Sequence, residues 1–188
     1  MKSQDPRYVQ ADDMDLIKAS IEGDKFAFGE IVNRYSRMVA RTVKGMLGDT
    51  VFAEDLGQEV FIKLYNSLPE FRGDSKLSTY IQKIAVNITL NEIKRRKRFL
   101  SMFSHSDGSE IHEIDIPDSE DVERREAREL VSKALQMIDP AFRIVLIMRL
   151  LQGYSTKETA EILGLPVGTV LSRLSRGQEQ MRRILKRL

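Results

Sequence analysis

The stretch "YSTKETAEILGLPVGTVLSRLSRG", residues 154–177, reads as two short helices around a tight turn. Ser155 and Glu158 have the spacing of a capping box, so a helix starts there. Gly164 ends it with the left-handed residue such turns use, and Pro166 opens the next helix. In that second helix Val167, Val170, Leu171 and Leu174 share one face, with Thr169, Ser172, Arg173 and Arg176 opposite. One face is expected to pack inward, while the other offers hydroxyl and guanidinium donors to base edges and phosphates. An ordinary amphipathic surface helix shows the same period. The capping box, glycine turn and polar face together argue for a helix-turn-helix that reads DNA.

A lone reader of this size usually needs a partner for affinity, commonly a second copy on a palindrome. The final turns, "MRRILKRL", are too short for a coiled-coil dimer. Delivery must therefore come from the rest of the chain. Its 188 residues suit one or two small domains, and 41% hydrophobic residues suffice for their cores. Nothing resembles a signal peptide or an apolar run of about 18 residues, so a cytoplasmic protein is expected. The absence of cysteine excludes disulfides and thiolate metal sites. His105 and His112 lie in a polar acidic stretch that reads as solvated linker, so no metal site is expected.

The formal net charge of +2 hides strong patterning. Lys94 to Arg98 is an unbroken basic run, while Asp107 to Glu126 carries nine acidic residues against two arginines. The chain turns basic again from Arg173 to Arg187. Either run alone reads as ordinary solvated surface. Their alternation suggests two nucleic-acid-facing modules on an acidic tether.

Apolar residues recur at helical spacing nearly everywhere, with no convincing alternating strand. Asp12 and Asp13 can cap a short helix ending at Gly23, and a long helix runs from about Asp24 to Leu47 until Gly48-Asp49 breaks it. A third helix over roughly 51–67 stops before Pro69, and "FRGDSKLS", residues 71–78, is a polar loop leading into a helix from about Ser78 to Arg98. Beyond an aperiodic segment, Ala127, Leu130, Val131, Ala134 and Leu135 form an apolar stripe. Asp139-Pro140 caps the almost wholly apolar "FRIVLIMRLL", which should end at Gly153 and form the centre of a second core. The fold expected is all-α: two small helical domains, 12–98 and 123–188, joined by a flexible acidic linker over 99–122.

In the helix over 51–67, Asp55, Gln58, Glu59 and Ile62 lie opposite the apolar side of Leu56, Val60 and Leu64. Such an acidic patch would repel DNA and suit a basic protein partner, or it is simply a solvated face. In the helix from Ser78, Ile81, Ile84, Ala85 and Ile88 occupy one side and Val86, Leu90 and Ile93 another. Between them runs a polar stripe of Tyr80, Lys83, Asn87 and Lys94. An aromatic, an amide and lysines in a line suit stacking, base hydrogen bonding and phosphate contact. A helix buried on two sides with one wet strip has the same pattern.

Three stretches in order, "AEDLGQEVFIKLY", "FRGDSKLSTYIQKIAVN" and "GYSTKETAEILGLPVGTVLSRLSRG", resemble the extracytoplasmic-function group of bacterial RNA polymerase sigma factors. The resemblance covers about residues 13–98 and 123–188. It implies a sigma region 2 helical bundle, a sigma region 4 helix-turn-helix and RNA polymerase core (β′ clamp and β subunit) as the partner that delivers the reader. Asp55, Gln58, Glu59, Phe61 and Ile62 would meet the β′ coiled-coil clamp. Phe71, Arg72, Asp74, Ser75 and Lys76, with Tyr80, Lys83, Asn87 and Lys94, would recognise promoter −10 DNA and hold it open, the loop pocketing a flipped base. Thr169, Ser172, Arg173 and Arg176 would meet the −35 element, with Arg173 and Arg176 taking one base and one phosphate role between them. The linker would thread toward the RNA exit path, and an anti-sigma factor would hold the protein inactive until a signal.

Three positions depart from the family pattern. Gly57 replaces a larger residue, at a cost of roughly 1 kcal/mol of helix stability. Tyr80 stands where tryptophan is frequent and keeps a stacking surface. Leu171 replaces a basic residue, either losing a DNA contact or extending the inward stripe. The reading is a promoter-recognition initiation subunit, without catalysis or cofactor. The rival is a free-standing dimeric helix-turn-helix regulator.

Overall fold

The computed structural model describes residues 5–48, 50–102 and 122–188. Among them every regular element is a helix. The expected acidic linker, with His105 and His112, lies outside the described residues apart from its two ends.

Local chemistry sets the helix boundaries. Helix α1 (Asp13–Ile21) starts where the Asp12 carboxylate accepts the Asp15 N–H at 2.8 Å. Helix α2 (Lys25–Leu47) starts at Asp24, which accepts from the N–H groups of Phe26 and Ala27, and stops at Gly48 with φ 82°. Helix α3 (Val51–Ser67) is capped by Thr50. After a 3-10 turn at Leu68–Glu70, the loop leads into α4 (Leu77–Met102). Helix α4 outruns the expected end at Arg98 because no glycine or proline interrupts it. The first core joins α1 to α4 through Leu16, Ile31, Val43, Leu56, Val60, Leu64 and Ile81.

The second half comprises α5 (Val122–Gln136), α6 (Pro140–Leu146), α7 (Thr156–Leu163) and α8 (Val167–Leu185). Asp139 caps α6 by accepting the Ala141 N–H at 2.8 Å, with Pro140 in the first helical position as expected. Helix α6 then widens into a π-helical segment, Ile147–Leu151, rather than continuing to Gly153 as α-helix. Its run from Ile144 to Met148 is buried, whereas Leu150 and Leu151 are exposed. Of the α5 apolar stripe, Ala134 and Leu135 are buried, Val131 is half-buried, and Ala127 and Leu130 lie at the surface.

The separate second core expected from the sequence is instead shared. Ile144, Val145, Ile147 and Met148 pack with Ile162 and Val170, and also with Met46 of α2 and Val86 of α4. Leu90 and Ile93 border the same cluster, so the second apolar side of α4 meets the helix-turn-helix half directly.

Polar groups tie the two halves as well. The last carbonyls of α2 lack intrahelical partners. Arg143 donates to the Met46 carbonyl, and Gln136 Nε2 donates to the Gly45 carbonyl at 3.1 Å. Arg143 also donates to Gln136 Oε1 and to the Gln136 and Ile138 carbonyls. Nearby, Gln82 Nε2 and Gln152 Nε2 both donate to Thr42 Oγ1, at 2.6 and 2.7 Å, and Gln82 also reaches Gln152 Oε1 at 3.2 Å.

Gly57 sits in the interior of α3, and a Cβ built there meets nothing within 4 Å. Gly57→Ala should therefore stabilise the protein by about 0.5–1 kcal/mol, read as a higher urea midpoint at unchanged slope.

Candidate nucleic-acid interface

Three surfaces hold the residues singled out from the sequence. On α3, Leu56, Val60 and Leu64 are buried while Asp55, Gln58, Glu59 and Ile62 are exposed, Ile62 at 62%. Phe61 is half-buried against the first core, so it joins this face only by its edge. The packing leaves an acidic face with one isoleucine pointing away from the bundle.

The second surface is the loop after α3 and the polar stripe of α4. Phe71 packs on Tyr80 with ring centroids 5.0 Å apart, which anchors the loop to the helix. Arg72, Asp74 and Lys76 are exposed and Ser75 is half-buried. A cleft of about 580 Å³ opens behind the loop, walled by Gly73 to Ser78 on one side and Asp13, Met14, Ile17 and Tyr35 on the other. That volume admits a flat ring of nucleobase size. The Tyr35 hydroxyl donates to Asp13 at 2.5 Å, and burial together with this bond raises its pKa, so it stays protonated. Arg34 holds Asp13 and Glu30 from behind. These wall residues escape sequence reading because α1 and α2 reach the loop only through the fold.

Along α4, Asn87 and Lys94 are exposed, Tyr80 is half-buried, and Lys83 pairs with Glu161 of α7 at 3.2 Å. Three of the four stripe positions thus remain available to a ligand, and Lys83 is engaged.

The third surface belongs to α7 and α8. The capping box forms: Ser155 Oγ accepts the Glu158 N–H at 3.1 Å, and Glu158 Oε2 accepts the Ser155 N–H at 2.8 Å. The Ser155 side chain first, and its backbone N–H second, lower the Glu158 pKa by hydrogen bonding to the carboxylate. Gly164 adopts φ 62°, ψ 36°, a conformation a side chain would strain, and the chain turns into α8. Ser172 and Arg176 are exposed and Thr169 and Arg173 half-buried, all on the outer side. The inward side differs from expectation. Val170 and Leu174 do face inward, but Val167 and Leu171 are 47% and 52% exposed. The seam runs instead through Val170, Leu174, Gly177, Met181 and Ile184 toward α5 and α6, with Gly177 buried against Leu146. Val167 and Leu171 flank that seam, so packing does not account for Leu171.

The family model described as Sigma-70 region 2 matches residues 31–99, and that described as Sigma-70, region 4 matches residues 128–181. The chain is 31% identical over 180 residues to the ECF RNA polymerase sigma factor SigW of Bacillus subtilis, covering 92% of this chain and 96% of that one. The chain belongs to the ECF RNA polymerase sigma factors. It is also 33% identical over 180 residues to the ECF RNA polymerase sigma-E factor of Escherichia coli, covering 90% and 92% of the two chains. The sigma factor RpoE of Bartonella quintana, solved with the anti-sigma factor NepR, shares the fold at a TM-score of 0.71 and 21% identity, covering 85% of this chain and 96% of that one. CnrH, solved with the cytosolic domain of CnrY, does so at 0.66 and 22%, covering 93% and 97%. Family membership sets aside the free-standing dimeric regulator.

In this sigma factor the exposed Leu171 stands at the edge of the α8 polar face. Leu171→Arg should leave stability within about 0.5 kcal/mol, since the site is open. It should steepen the salt dependence of −35 duplex binding by the polymerase-bound protein by roughly one unit. An unchanged slope would place residue 171 off the DNA.

Proposed function

We propose that this sigma factor is the promoter-recognition initiation subunit of RNA polymerase, with three jobs divided among its three exposed faces. The α3 face of Asp55, Gln58, Glu59, Phe61 and Ile62 docks on the β′ clamp of core. The loop Phe71–Lys76, with Tyr80, Lys83, Asn87 and Lys94, captures and opens the −10 element. Thr169, Ser172, Arg173 and Arg176 of α8 read the −35 element, one arginine on a base and the other on phosphate. The protein works without chemistry of its own, in the cytoplasm. An anti-sigma factor holds it inactive, a reading supported by the fold neighbour solved with such a partner.

One observation carries the division of labour. The acidic α3 face and the basic α8 face point outward from different helices, while the loop borders a cleft that includes Lys76, and Asn87 and Lys94 lie exposed further along α4. An acidic surface cannot serve DNA, and a cleft cannot read an intact duplex. Protein docking, strand capture and groove reading therefore fall to different surfaces.

Purified core polymerase with this chain should transcribe from promoters that core alone ignores. Glu59→Lys should reduce affinity for core while leaving the circular dichroism spectrum and melting temperature near wild type, because the side chain is exposed. A folded variant that binds core as tightly as wild type would sink the α3 assignment.

Asn87 is the exposed amide on the stripe, able to pair with a base edge through both a donor and an acceptor, whereas Lys94 can only donate. Asn87→Ala should spare core binding and reduce permanganate reactivity of −10 thymines in the initiation complex. Normal reactivity would leave Asn87 without a role in opening.

A further inference from the structure

Helix α8 turns one particular side to solvent. Val167, Gly168, Leu171, Ser172, Ser175 and Arg176 are exposed, Thr169 and Arg173 are half-buried, and Val170 and Gly177 are buried. Round the helix from Leu171 to Arg176 the positions crossed are Ser175, Gly168 and Ser172, all small. A Cβ built on Gly168 meets nothing within 4 Å, so this strip is open outward. Leu171 therefore shares the exposed side of Ser172 and Arg176, with no bulky side chain between them. We infer that Leu171 also reads the −35 element, by packing on the C5-methyl group of a thymine in the major groove. This rests on the assignment of the α8 face to −35 DNA.

Packing within the chain does not use Leu171. Its side chain belongs to a residue 52% exposed, and the buried seam of α8 runs through Val170, Leu174 and Gly177. A single exposed leucine is ordinary on a protein surface. Here Val167, one turn earlier and 47% exposed, widens the apolar flank, and that flank borders the reading side of a helix-turn-helix. Chemistry then narrows the partner. Leucine neither donates nor accepts a hydrogen bond, so it cannot pair with phosphate or with the ring nitrogens, carbonyls and amino groups of base edges. Thymine alone displays an apolar group in the major groove, its C5-methyl. Leucine against that methyl removes apolar surface of both from water. Against another base it strips water from polar atoms and gives no hydrogen bond in return. Preference for thymine thus comes from attraction to the methyl and from a penalty at the other bases.

The test uses the full chain bound to RNA polymerase core, and the −35 duplex that this complex selects from a randomised pool. Deoxyuridine replaces each thymine of that duplex in turn, which removes the methyl and keeps the hydrogen-bonding groups. At one thymine the change should weaken wild-type binding about three- to five-fold, the worth of burying one methyl-sized group. Leu171→Ala should weaken the thymine duplex by a similar factor and bind the thymine and deoxyuridine duplexes equally. Because no charge changes, its salt slope should match that of wild type. A selected duplex that contains no thymine, or in which deoxyuridine costs nothing at any position, overturns the assignment and leaves the −35 reading standing. So does a deoxyuridine loss that persists in Leu171→Ala, since another group then holds the methyl. An altered salt slope in Leu171→Ala also overturns it, because Leu171 then seats α8 on the duplex and reads no base. Weaker binding of Leu171→Ala to core, with the thymine preference intact, overturns it too and marks the flank as a protein contact. A pool that yields no preferred sequence sinks the −35 reading itself, and the Leu171 assignment with it.

Discussion

Helix α4 is buried from two sides, and that constraint orders the rest of the molecule. Ile81 and Ala85 lie in the first core with Ile84 and Ile88 beside them, while Val86, Leu90 and Ile93 belong to the second. Each fully buried aliphatic side chain is worth roughly 1.5–3 kcal/mol, so rotating α4 about its axis would forfeit contacts on both sides at once. The helix is locked in azimuth. Polar residues are sorted accordingly, with Gln82 and Thr89 fully buried and Asn87 and Lys94 outside. The loop before α4 inherits that fixed orientation through the Phe71–Tyr80 contact.

The seam between the halves is not purely apolar, and its polar part sets register more than strength. Thr42 accepts from two amides and donates to the Met38 carbonyl, which uses the hydroxyl fully. Gln82 Oε1 has no partner, a defect that typically costs about 1–3 kcal/mol. Arg143 is buried among carbonyls and an amide, and burial lowers its pKa to about 10. It remains charged at neutral pH, where a cation favours the negative end of α2. The seam thus closes on an apolar core and leaves one amide oxygen unsatisfied within it.

The helices and their starts were legible because caps are local chemistry. Asp12, Asp139 and Ser155 announce themselves by residue type and spacing, and each accepts a backbone N–H of its helix's first turn. The two apolar sides of α4 were also visible, but what covers the second was not, since periodicity reports that a face is buried and not by what. The same limit hid the shared core and made FRIVLIMRLL read as one buried α-helix, when its π-helical turn carries Leu150 and Leu151 outward. Leu171 was ambiguous for a related reason. A heptad-like spacing includes residues flanking a seam, and only Gly177 against Leu146 reveals where the seam of α8 runs. The cleft walls on α1 and α2 carried no signal, because Asp13 and Tyr35 become neighbours of the loop only in three dimensions.

Charge runs need the same correction from geometry. Lys94 to Arg98 reads as five consecutive positive charges offered to nucleic acid. In the fold, Glu92 is only 8% exposed and binds Arg95 at 2.6 Å and Arg96 at 3.0 Å. The Arg96 guanidinium also lies 3.8 Å from the centre of the Phe52 ring, pinning α4 to the start of α3. The Arg95 hydrogen bond is the largest of the effects lowering the Glu92 pKa, with Arg96 adding to it, so the carboxylate stays ionised down to more acidic pH than usual and loses this contribution only below the ordinary carboxylate range. Arg95 and Arg96 are therefore committed to holding the helix in place. A charge run is read by direction, not by count, and Lys94 is the member that lies exposed in line with Asn87 on the polar stripe of α4.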